Sequence, residues 1–351
     1  MFDIEDYDYD LPGELIAQVP VPDRDESRLL VVDRSSGSMK DRHFRDLPEL
    51  LLPGDLLVVN NTRVVPARIF GRKESGGRIE ILVLEYGNKE NTKTETRWCL
   101  LRSSKRPRKG SRLFFEGDHS GVVENLGQDG LIQITFQGPQ SIDSLLEKSG
   151  MMPLPPYIRR KEKDPFSDLD RERYQTVFAE RKGAVAAPTA SLHFTTELLT
   201  RLRQAGISLV HITLHVGHGT FRPVRTSDIR DHRLGYEEYD LDPETANVIE
   251  HSKSEGRRIV AVGTTVVRTL ESVAGPKGGL KSGRGKTDLL ITPGHSFKVV
   301  DALITNFHLP RSSLLFLVSA FAGLDLIKEA YRTAIAKAYR FYSYGDAMLI
   351  L

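Results

Sequence analysis

Polar side chains that can exchange protons or bind ligands follow most of the apolar runs in this 351-residue chain. Histidine can change protonation near neutral pH, arginine can pair with a carboxylate through two hydrogen bonds, and threonine and asparagine can bind hydroxyls or amines. The residues at these positions are Asn60, Asn61, Thr62, Arg63, Thr189, His193, His215, Thr220, Thr264, Thr265, Arg268, Thr305, Asn306 and His308. Because open α/β sheets bind ligands at the carboxyl ends of their strands, we expect these side chains to meet at one sheet edge.

Each of these residues also has an ordinary structural explanation. A threonine at the end of a strand usually caps a helix, and a single buried histidine is more often part of the structure than a catalyst. The fourteen residues come from five separate segments of the chain. Helix capping explains less well why all five segments would meet at one sheet edge, because polar side chains buried together need partners or a ligand. We therefore interpret the whole set as a candidate site.

Two kinds of sequence must position these residues. From about residue 65 to 138, six short alternating or β-branched runs are separated by turn residues, which predicts a small antiparallel barrel. From Thr195 onward, helical segments alternate with continuous apolar runs, which is typical of an α/β sheet buried on both faces. Helices are predicted from Thr195 to Gly206 and from Asp242 to Gly256, because each begins at a capping residue and stops at a glycine.

The apolar runs themselves predict the strands of the large sheet. These runs are RLLVVD, LLVVN, ISLVHITLHV, RRIVAVG, DLLITPG, DALITNF and AMLIL. Since the first two precede the barrel, we predict one mixed α/β domain formed by residues 1–63 and 151–351, with residues 64–150 inserted as a small all-β barrel domain. A helix over 141–150 and the stiff segment MPLPPYIRR lead back from the barrel, and two helices are predicted between about Ser312 and Tyr339.

Several classes of protein are excluded. The single cysteine, Cys99, allows neither an intrachain disulfide nor a cysteine-built zinc or iron–sulfur site. HExxH and GxSxG are missing, and Gly285-Lys286-Thr287 lacks the first glycine and the following helix of a P-loop. The apolar stretch 314–327 is shorter than the about 20 residues of a membrane span. The acidic N-terminus does not resemble a secretory signal, so we expect a cytoplasmic protein. Because HExxH is missing and the histidines lack ligand spacing, we expect no metal.

One stretch is strongly basic although the formal net charge is only +2. Its residues are Arg97, Arg102, Lys105, Arg106, Arg108, Lys109 and Arg112, with no acid between them. A solvated loop is the simpler explanation of such a run, but a patch of this kind also fits phosphate binding.

Long blocks of the sequence resemble the signature blocks of the S-adenosylmethionine:tRNA ribosyltransferase-isomerase family of queuosine synthesis. The blocks are LPGELIAQVP, SRLLVVDR, PGDLLVVNNTRVVPAR, MPLPPYIRR, RYQTVFA, AAPTASLHFT, TLHVGHGTFRPV, AVGTTVVRTLES, DALITNFHLPRSSLLFLVSAFAG and YRFYSYGDAMLIL. They run in order from end to end, and the resemblance implies a large α/β domain with an inserted barrel. Two positions depart from the family pattern: Ser191 replaces a usual glycine and Gly235 a usual histidine, while His232 and Glu237 match.

The resemblance also implies a reaction. S-adenosylmethionine would serve as the ribosyl donor, as a substrate and not as a prosthetic group, and 7-aminomethyl-7-deazaguanine at the wobble position of a tRNA would be the acceptor. Epoxyqueuosine would form, adenine and methionine would leave, and no metal would take part. The alternatives are a tRNA methyltransferase with the same donor and a non-catalytic tRNA-binding protein. We expect a monomer.

Such a reaction needs a base for a C5′ proton, a hydrogen-bond donor for the departing adenine and charge partners for the methionine moiety. The candidate proton-transfer residues are His193, His215, His308, Asp346 and Glu237, with the first two preferred. Arg63 and Arg268 are expected to pair with the donor's carboxylate. Backbone N–H groups at Thr264 and Thr265 are expected to bind its hydroxyls or carboxylate.

The tRNA is expected to contact two further groups of residues. Tyr342 and Tyr344 are candidates to stack on a flipped wobble base, although core packing explains them equally well. Phosphate contacts are assigned to Arg102, Lys105, Arg106, Arg108, Lys109, Arg159 and Arg160.

Overall fold

The structure, a computed structural model, describes residues 1–87, 94–161, 164–217, 219, 224–276 and 279–351. Over these residues the chain forms a large mixed sheet with helices on both faces and a closed antiparallel barrel. The predicted fold class, an α/β domain with an inserted all-β barrel, is therefore confirmed.

The elements have the following bounds in the described residues. The strands are β1 (Arg28–Val32), β2 (Met39–His43), β3 (Leu56–Asn60), β4 (Thr62–Val64), β5 (Arg68–Lys73), β6 (Arg78–Val83), β7 (Thr94–Arg102), β8 (Arg112–Phe115), β9 (Ser120–Leu126), β10 (Leu131–Gln137), β11 (Arg181–Ala184), β12 (Ser208–Leu214), β13 (Glu237–Leu241), β14 (Ile259–Val262), β15 (Gly283–Thr287), β16 (Ala302–Asn306) and β17 (Ala347–Ile350). The helices are α1 (Leu47–Leu50), α2 (Ile142–Ser149), α3 (Ser167–Arg173), α4 (Thr196–Gln204), α5 (Pro243–Ser254), α6 (Thr264–Val273), α7 (Ser313–Ala322) and α8 (Leu324–Ala336).

The large sheet runs in the order β15-β13-β12-β3-β14-β16-β17-β1-β2. Its central neighbours β12, β3, β14 and β16 are parallel, so their carboxyl ends at Leu214, Asn60, Val262 and Asn306 lie at one edge. β17 runs antiparallel to β16 and starts at that same edge, where Ala347 is opposite Asn306. The polar residues that follow these strands are thereby gathered on one side of the sheet, as the sequence predicts.

Alternate strand residues pack on opposite faces of the sheet. Val58 and Leu303 face a buried cluster that includes residues of α5, α6, α7 and α8, whereas Val59 and Ile304 face a second cluster with α4. Burial of both faces explains why the central strands are continuous apolar runs instead of alternating ones.

Helix boundaries follow local capping chemistry. The side chains of Thr195 and Asp242 accept hydrogen bonds from the N–H groups of Leu198 and Thr245, which fixes the starts of α4 and α5 as predicted. α7 and α8 are separated at Gly323, whose φ of 89° favours glycine. No helix in the described part of the chain combines the length and apolar character needed to cross a membrane.

The barrel is formed, within the described residues, by strands in the order β10-β7-β6-β5-β8-β9, all paired antiparallel. Every second side chain points inward, and Ile81, Cys99 and Ile134 belong to its buried core. Leu145 and Leu146 of α2 join that core, so the helix after the barrel closes one end of it. The six predicted runs therefore become the six strands.

One strand prediction is wrong. The run DLLITPG was expected to form a strand, but residues 288–294 follow β15 without pairing in the sheet. Ile291 is buried in the core, and the carbonyl of Leu289 accepts a hydrogen bond from the Arg268 side chain. The apolar residues of 288–294 therefore pack in the core, while the polar segments β13 and β15 pair with each other at the outer side of the sheet.

Candidate active site

A narrow crevice opens at the carboxyl ends of β14 and β16. Its volume is about 70 Å³, well below the roughly 300–1,000 Å³ of a pocket that encloses a whole ligand. The residues predicted from the sequence that line it are Thr189, Thr264, Thr265, Thr305, Asn306, His308 and Tyr342. Tyr157, Ser312 and Ser343 also line it and were not predicted.

The N-terminus of α6 forms one wall of this crevice. β14 ends at Val262, and Gly263, with a φ of 94°, turns the chain directly into the helix. Among the described residues no side chain caps α6, so its first-turn N–H groups, at Thr264 and Thr265, lack a capping oxygen there. Such groups bind hydroxyl or anionic parts of a ligand well.

His193 lies behind the crevice and does not line it. Its Nδ1 is 2.9 Å from Ser27 Oγ, and its Nε2 is 3.1 Å from Asn306 Nδ2. Burial, together with the charges of nearby arginines, lowers the pKa of His193 to about 3. The ring is therefore neutral at physiological pH and uses both nitrogens within the protein.

Of the predicted proton-transfer residues, His308 is the one that lines the crevice in the described part of the chain. Its Nε2 lies 2.9 Å from Thr305 Oγ1. Its backbone N–H donates to Tyr331 Oη over 2.8 Å, and Tyr9 Oη donates to its carbonyl. Burial lowers the pKa of His308 to about 3, so this ring is also neutral near pH 7.

The polar residues after β3 bind neighbouring segments. Asn60 Oδ1 accepts hydrogen bonds from the N–H groups of Thr62 and Leu214, and Asn60 Nδ2 donates to the Leu214 carbonyl over 2.9 Å. Asn61 Nδ2 donates to the Glu180 carboxylate over 3.0 Å, and Asn61 Oδ1 accepts from the Thr213 hydroxyl over 2.7 Å. Thr62 Oγ1 lies 2.8 Å from Nδ1 of the half-buried His215, whose pKa is lowered by burial. None of these four side chains lines the crevice in the described residues.

Glu237 and Arg268 form a buried ion pair between Glu237 Oε2 and Arg268 Nη1. Glu237 Oε1 also accepts from the N–H of Gly217 over 2.9 Å, and Arg268 Nε donates to the Leu289 carbonyl over 3.0 Å. Arg268 Nη2 is buried and has no hydrogen-bond partner in the described structure. Arg63, the other expected carboxylate partner, is exposed and lies outside the crevice.

Asp346 and Tyr344 hold segments of the chain together. Asp346 accepts from the N–H groups of Arg28 and Arg340 over 2.9 Å and 2.7 Å, and burial raises its pKa. Tyr344 donates to Asp170 over 3.0 Å and does not line the crevice in the described residues. Both groups therefore serve backbone positioning and packing in this structure.

The two departures from the family pattern have different surroundings. Ser191 is fully buried in a 3₁₀ turn over Thr189–His193, and its hydroxyl has no hydrogen-bond partner in the described structure. Gly235 is exposed, and a Cβ there would meet no heavy atom of the described residues within 4 Å. Thr220, predicted to bind substrate, lies outside the described residues.

A much larger cleft, of about 940 Å³, lies between the barrel and the segments 153–160 and 225–233. The basic residues that line it are Arg68, Arg102, Arg159, Arg160, Arg225, His232 and Arg233, against the acids Glu80, Asp129 and Asp231. Arg225 and Asp129 form an ion pair of 3.4 Å that joins the two walls. The excess of arginine makes this cleft suitable for a phosphate backbone.

The predicted phosphate-binding residues divide into three groups: residues exposed on the cleft, residues exposed outside the cleft, and residues bonded to other parts of the protein. Arg102 and Arg159 are exposed on the cleft, whereas Lys105, Arg108 and Lys109 are exposed on the barrel outside it. Arg106 donates to the carbonyls of Gly127 and Leu131 over 2.7 Å each. Arg97, from the same basic stretch, is buried against Glu95. Arg160 binds Asp170 through two hydrogen bonds of 2.6 Å and 2.9 Å, so it is committed to the protein.

The crevice and the cleft share a wall. Tyr157 lines the crevice, while its neighbours Pro156 and Ile158 line the cleft. Tyr157 Oη lies 2.7 Å from Ser343 Oγ, and the Tyr157 carbonyl accepts from Gln18 over 2.9 Å, which fixes this wall. The sequence marks the segment only by its prolines, and an aromatic residue directly after them was the available signal for Tyr157.

Within the described residues, no group of three or more His, Cys, Asp or Glu side chains is arranged to hold a metal ion. The polar atoms of the crevice instead suit a ligand with hydroxyl, amine or carboxylate groups.

Comparison with known proteins finds relatives along nearly the whole chain. A family model described as a queuosine biosynthesis protein matches residues 4–350. An S-adenosylmethionine:tRNA ribosyltransferase-isomerase of Halothermothrix orenii is 49% identical over 351 residues, and one of Symbiobacterium thermophilum is 52% identical over 350 residues, each match covering 99% of both chains. The crystal structure of an S-adenosylmethionine tRNA ribosyltransferase from Thermotoga maritima has 39% identity and a TM-score of 0.56, covering 99% of this chain and 100% of that chain.

Proposed function

The chain belongs to the queuosine biosynthesis protein family, and on that premise we propose that it is an S-adenosylmethionine:tRNA ribosyltransferase-isomerase. It transfers and isomerises the ribosyl group of S-adenosylmethionine onto 7-aminomethyl-7-deazaguanine at the wobble position of a tRNA. Epoxyqueuosine is the product, and adenine and methionine are released. S-adenosylmethionine acts as a substrate, and no prosthetic group is required.

The observation that carries this proposal is the shared wall between a small polar crevice and a large arginine-lined cleft. A group transfer from a small donor to a base within RNA requires two such sites side by side, because the donor and the nucleotide must meet. At this wall the crevice and the cleft are one residue apart, because Tyr157 lines the crevice and its chain neighbours line the cleft. The cleft would hold the RNA backbone, and the crevice the reacting part of the donor.

On the donor side, we assign hydroxyl and carboxylate binding to the uncapped first turn of α6 at Thr264 and Thr265. Arg268 is paired with Glu237 and does not line the crevice in the described residues, so we assign it no contact with the donor. Tyr342 packs against Tyr157 at a ring separation of 4.8 Å, so the two rings offer an apolar surface at the crevice.

For proton transfer we propose His308 in place of the preferred candidates His193 and His215. A base must reach the reacting atom, and His308 lines the crevice whereas the other two rings do not. Neutral imidazole is the form that accepts a proton, and burial keeps His308 in that form near pH 7. The same lowered pKa makes the ring a weak base, so the assignment rests on its position in the crevice. Thr305, 2.9 Å from its Nε2, orients the ring.

For the tRNA we propose contacts from Arg102, Arg159, Arg225 and Arg233 across the cleft. Phosphate contacts of this type give affinity and position more than base choice. In this scheme residues 1–63 and 151–351 form the catalytic domain and residues 64–150 the inserted tRNA-contacting domain. We propose a monomer, working in the cytoplasm where both substrates occur.

The test is to incubate the purified protein with S-adenosylmethionine and tRNA carrying 7-aminomethyl-7-deazaguanine. Free adenine and epoxyqueuosine, detected by mass spectrometry of the small molecules and digested nucleosides, are the expected products. S-adenosylhomocysteine would instead indicate a methyltransferase, and tRNA binding without turnover would indicate a non-catalytic binding protein. Either result would overturn the proposal.

A further inference from the structure

The hydrogen bonds around His193 determine which of its ring nitrogens carries the proton. Ser27 Oγ donates its only hydrogen to the carbonyl of Arg24 over 3.1 Å, so it must accept at the 2.9 Å contact with His193 Nδ1. Nδ1 is therefore protonated, and Nε2 carries a lone pair. That lone pair faces Asn306 Nδ2 at 3.1 Å.

The same bonds fix the orientation of the Asn306 amide. Asn306 Nδ2 has two hydrogens, and it faces three acceptors: His193 Nε2, the Tyr342 carbonyl at 3.2 Å and the Asp346 carbonyl at 3.4 Å. With the amide flipped, its oxygen would face all three acceptors, which is unfavourable. Asn306 Oδ1 must then point away from this group of acceptors.

Asn306 Oδ1 has no hydrogen-bond partner in the described structure, although Asn306 is 3% exposed and lines the crevice. A buried amide oxygen without a partner is unfavourable by about 1–3 kcal/mol, so a ligand group that donates a hydrogen bond to it would bind favourably. The atom is an acceptor only, so its partner must be a hydrogen-bond donor.

We infer that Asn306 Oδ1 accepts a hydrogen bond from a ribosyl hydroxyl of the bound donor, and that His193 is a positioning residue that holds the amide in the orientation this bond requires. This inference rests on the proposed function. The crevice, at about 70 Å³, admits a fragment of the donor and not a whole nucleoside. The ribosyl group is the small fragment of S-adenosylmethionine that carries hydroxyl donors and undergoes the reaction.

The role of His193 follows from its surroundings on every side. Its ring is 3% exposed and packs against Phe44 at a centroid separation of 5.0 Å. The charged groups nearest to it are cationic, namely Arg24, Arg340 and Arg173, which disfavour a protonated ring. An imidazole that stays neutral, with both nitrogens bonded, can orient Asn306 permanently.

The experiment measures equilibrium binding by calorimetry, because the hydroxyls also take part in the reaction. The probes are S-adenosylmethionine and its 2′-deoxy and 3′-deoxy analogues, with wild type and Asn306→Ala. We expect one of the two deoxy analogues to bind wild type roughly three- to tenfold more weakly than S-adenosylmethionine, because it lacks the hydroxyl that Asn306 binds. In Asn306→Ala that ratio should fall to about one, because the acceptor is gone.

The matched control is Asn125→Ala, the same substitution at an exposed asparagine on the barrel. It should retain the wild-type ratio for every analogue. An Asn306→Ala protein that melts like wild type but binds all three donors more weakly by one common factor would overturn the inference. So would a wild-type protein that binds both deoxy analogues as tightly as S-adenosylmethionine.

A second pair of variants tests His193. Glutamine at this position can donate to Ser27 and accept from Asn306, whereas leucine can do neither. His193→Gln should keep the hydroxyl preference and the pH profile of adenine release, and His193→Leu should lose the preference. If His193→Gln binds normally but loses turnover as completely as His193→Leu, His193 acts in proton transfer and the inference is wrong. Absence of adenine release by a wild-type protein that still binds donor would instead reject the proposed function alone.

Discussion

Asp170 binds Arg160 through two hydrogen bonds, from Nε at 2.6 Å and from Nη2 at 2.9 Å. Both side chains are 4% exposed, and Arg160 Nη2 also donates to the Gln18 carbonyl over 2.8 Å. This pair joins α3 to the end of the segment whose Tyr157 separates the crevice from the cleft. An arginine that the sequence suggests for tRNA phosphates thus holds the wall between the two substrates.

Asp170→Asn should lower the free energy of unfolding by about 3 kcal/mol, because it leaves the buried Arg160 guanidinium with only the more distant Asp164, at 4.0 Å, as a counter-charge. Asp129→Asn is the matched control, since its ion pair with Arg225 is exposed and contributes at most about 1 kcal/mol. Urea unfolding of the two variants and wild type measures both values. Equal, small changes in both variants would show that the Arg160 pair adds no more than a surface ion pair.

The sequence predicts the fold well where local chemistry decides it. Alternating runs gave the barrel strands, and Thr195 and Asp242 start their helices as expected. It fails at the outer strands of the sheet, because β13 and β15 are polar, whereas the apolar run at 288–294 packs without pairing. The apolar content of a segment indicates that it is buried, but whether the segment pairs as a strand depends on which segments lie beside it in the fold.

For the site, the strand ends identify five residues of the crevice, Thr264, Thr265, Thr305, Asn306 and His308, but not the depth of each side chain. His193 and His308 have the same residue type and both follow apolar segments, yet one lies behind Asn306 and the other lines the crevice. Tyr157 comes from a proline-rich segment far from these strands in sequence, so no strand pattern could place it there. Burial and orientation of this kind depend on contacts between distant segments.

Ser191→Ala should raise the free energy of unfolding by about 1 kcal/mol. The Ser191 hydroxyl is buried without a hydrogen-bond partner in the described structure, and alanine removes it with little change in shape. Ser191→Gly should gain less, because glycine also increases the conformational freedom of the unfolded chain. Denaturant unfolding gives the order, and a loss of stability in Ser191→Ala would indicate a partner for this hydroxyl, such as a buried water.

Arg102→Ala and Arg233→Ala should each weaken tRNA binding and reduce the slope of log affinity against log salt concentration by roughly 0.7–1. Both residues are exposed on the cleft. Arg284→Ala is the control, because Arg284 is also exposed, at 82%, but belongs to β15 at the end of the sheet and not to the cleft. Filter binding over a salt series separates the outcomes, and an equal slope for all three variants would place the tRNA elsewhere.

Stability should fall as the pH drops below about 6.5, through the two buried histidines. The folded-state pKa of His193 and of His308 is about 3, below the usual value of 6.5, so the unfolded chain binds protons that the folded chain cannot. Stability is therefore complete above pH 6.5 and declines by up to about 1.4 kcal/mol per pH unit for each ring. Between pH 7.5 and 5, wild type should lose about 2 kcal/mol more than His193→Gln. Urea unfolding at each pH measures these losses. Equal losses of stability in wild type and His193→Gln would show that His193 is not buried in neutral form.

His308→Ala should lower kcat for adenine release by roughly 10²–10⁴, the usual contribution of a positioned general base. It should also stop exchange of the C5′ hydrogens of S-adenosylmethionine with deuterated water, because that exchange reports proton abstraction directly. Added imidazole should restore part of the rate, since the substitution leaves space beside Thr305. His251→Ala, an exposed histidine on α5, is the control and should behave as wild type. If exchange continues at the wild-type rate in His308→Ala, the base lies elsewhere, and the neutral ring of His308 then serves only to orient Thr305.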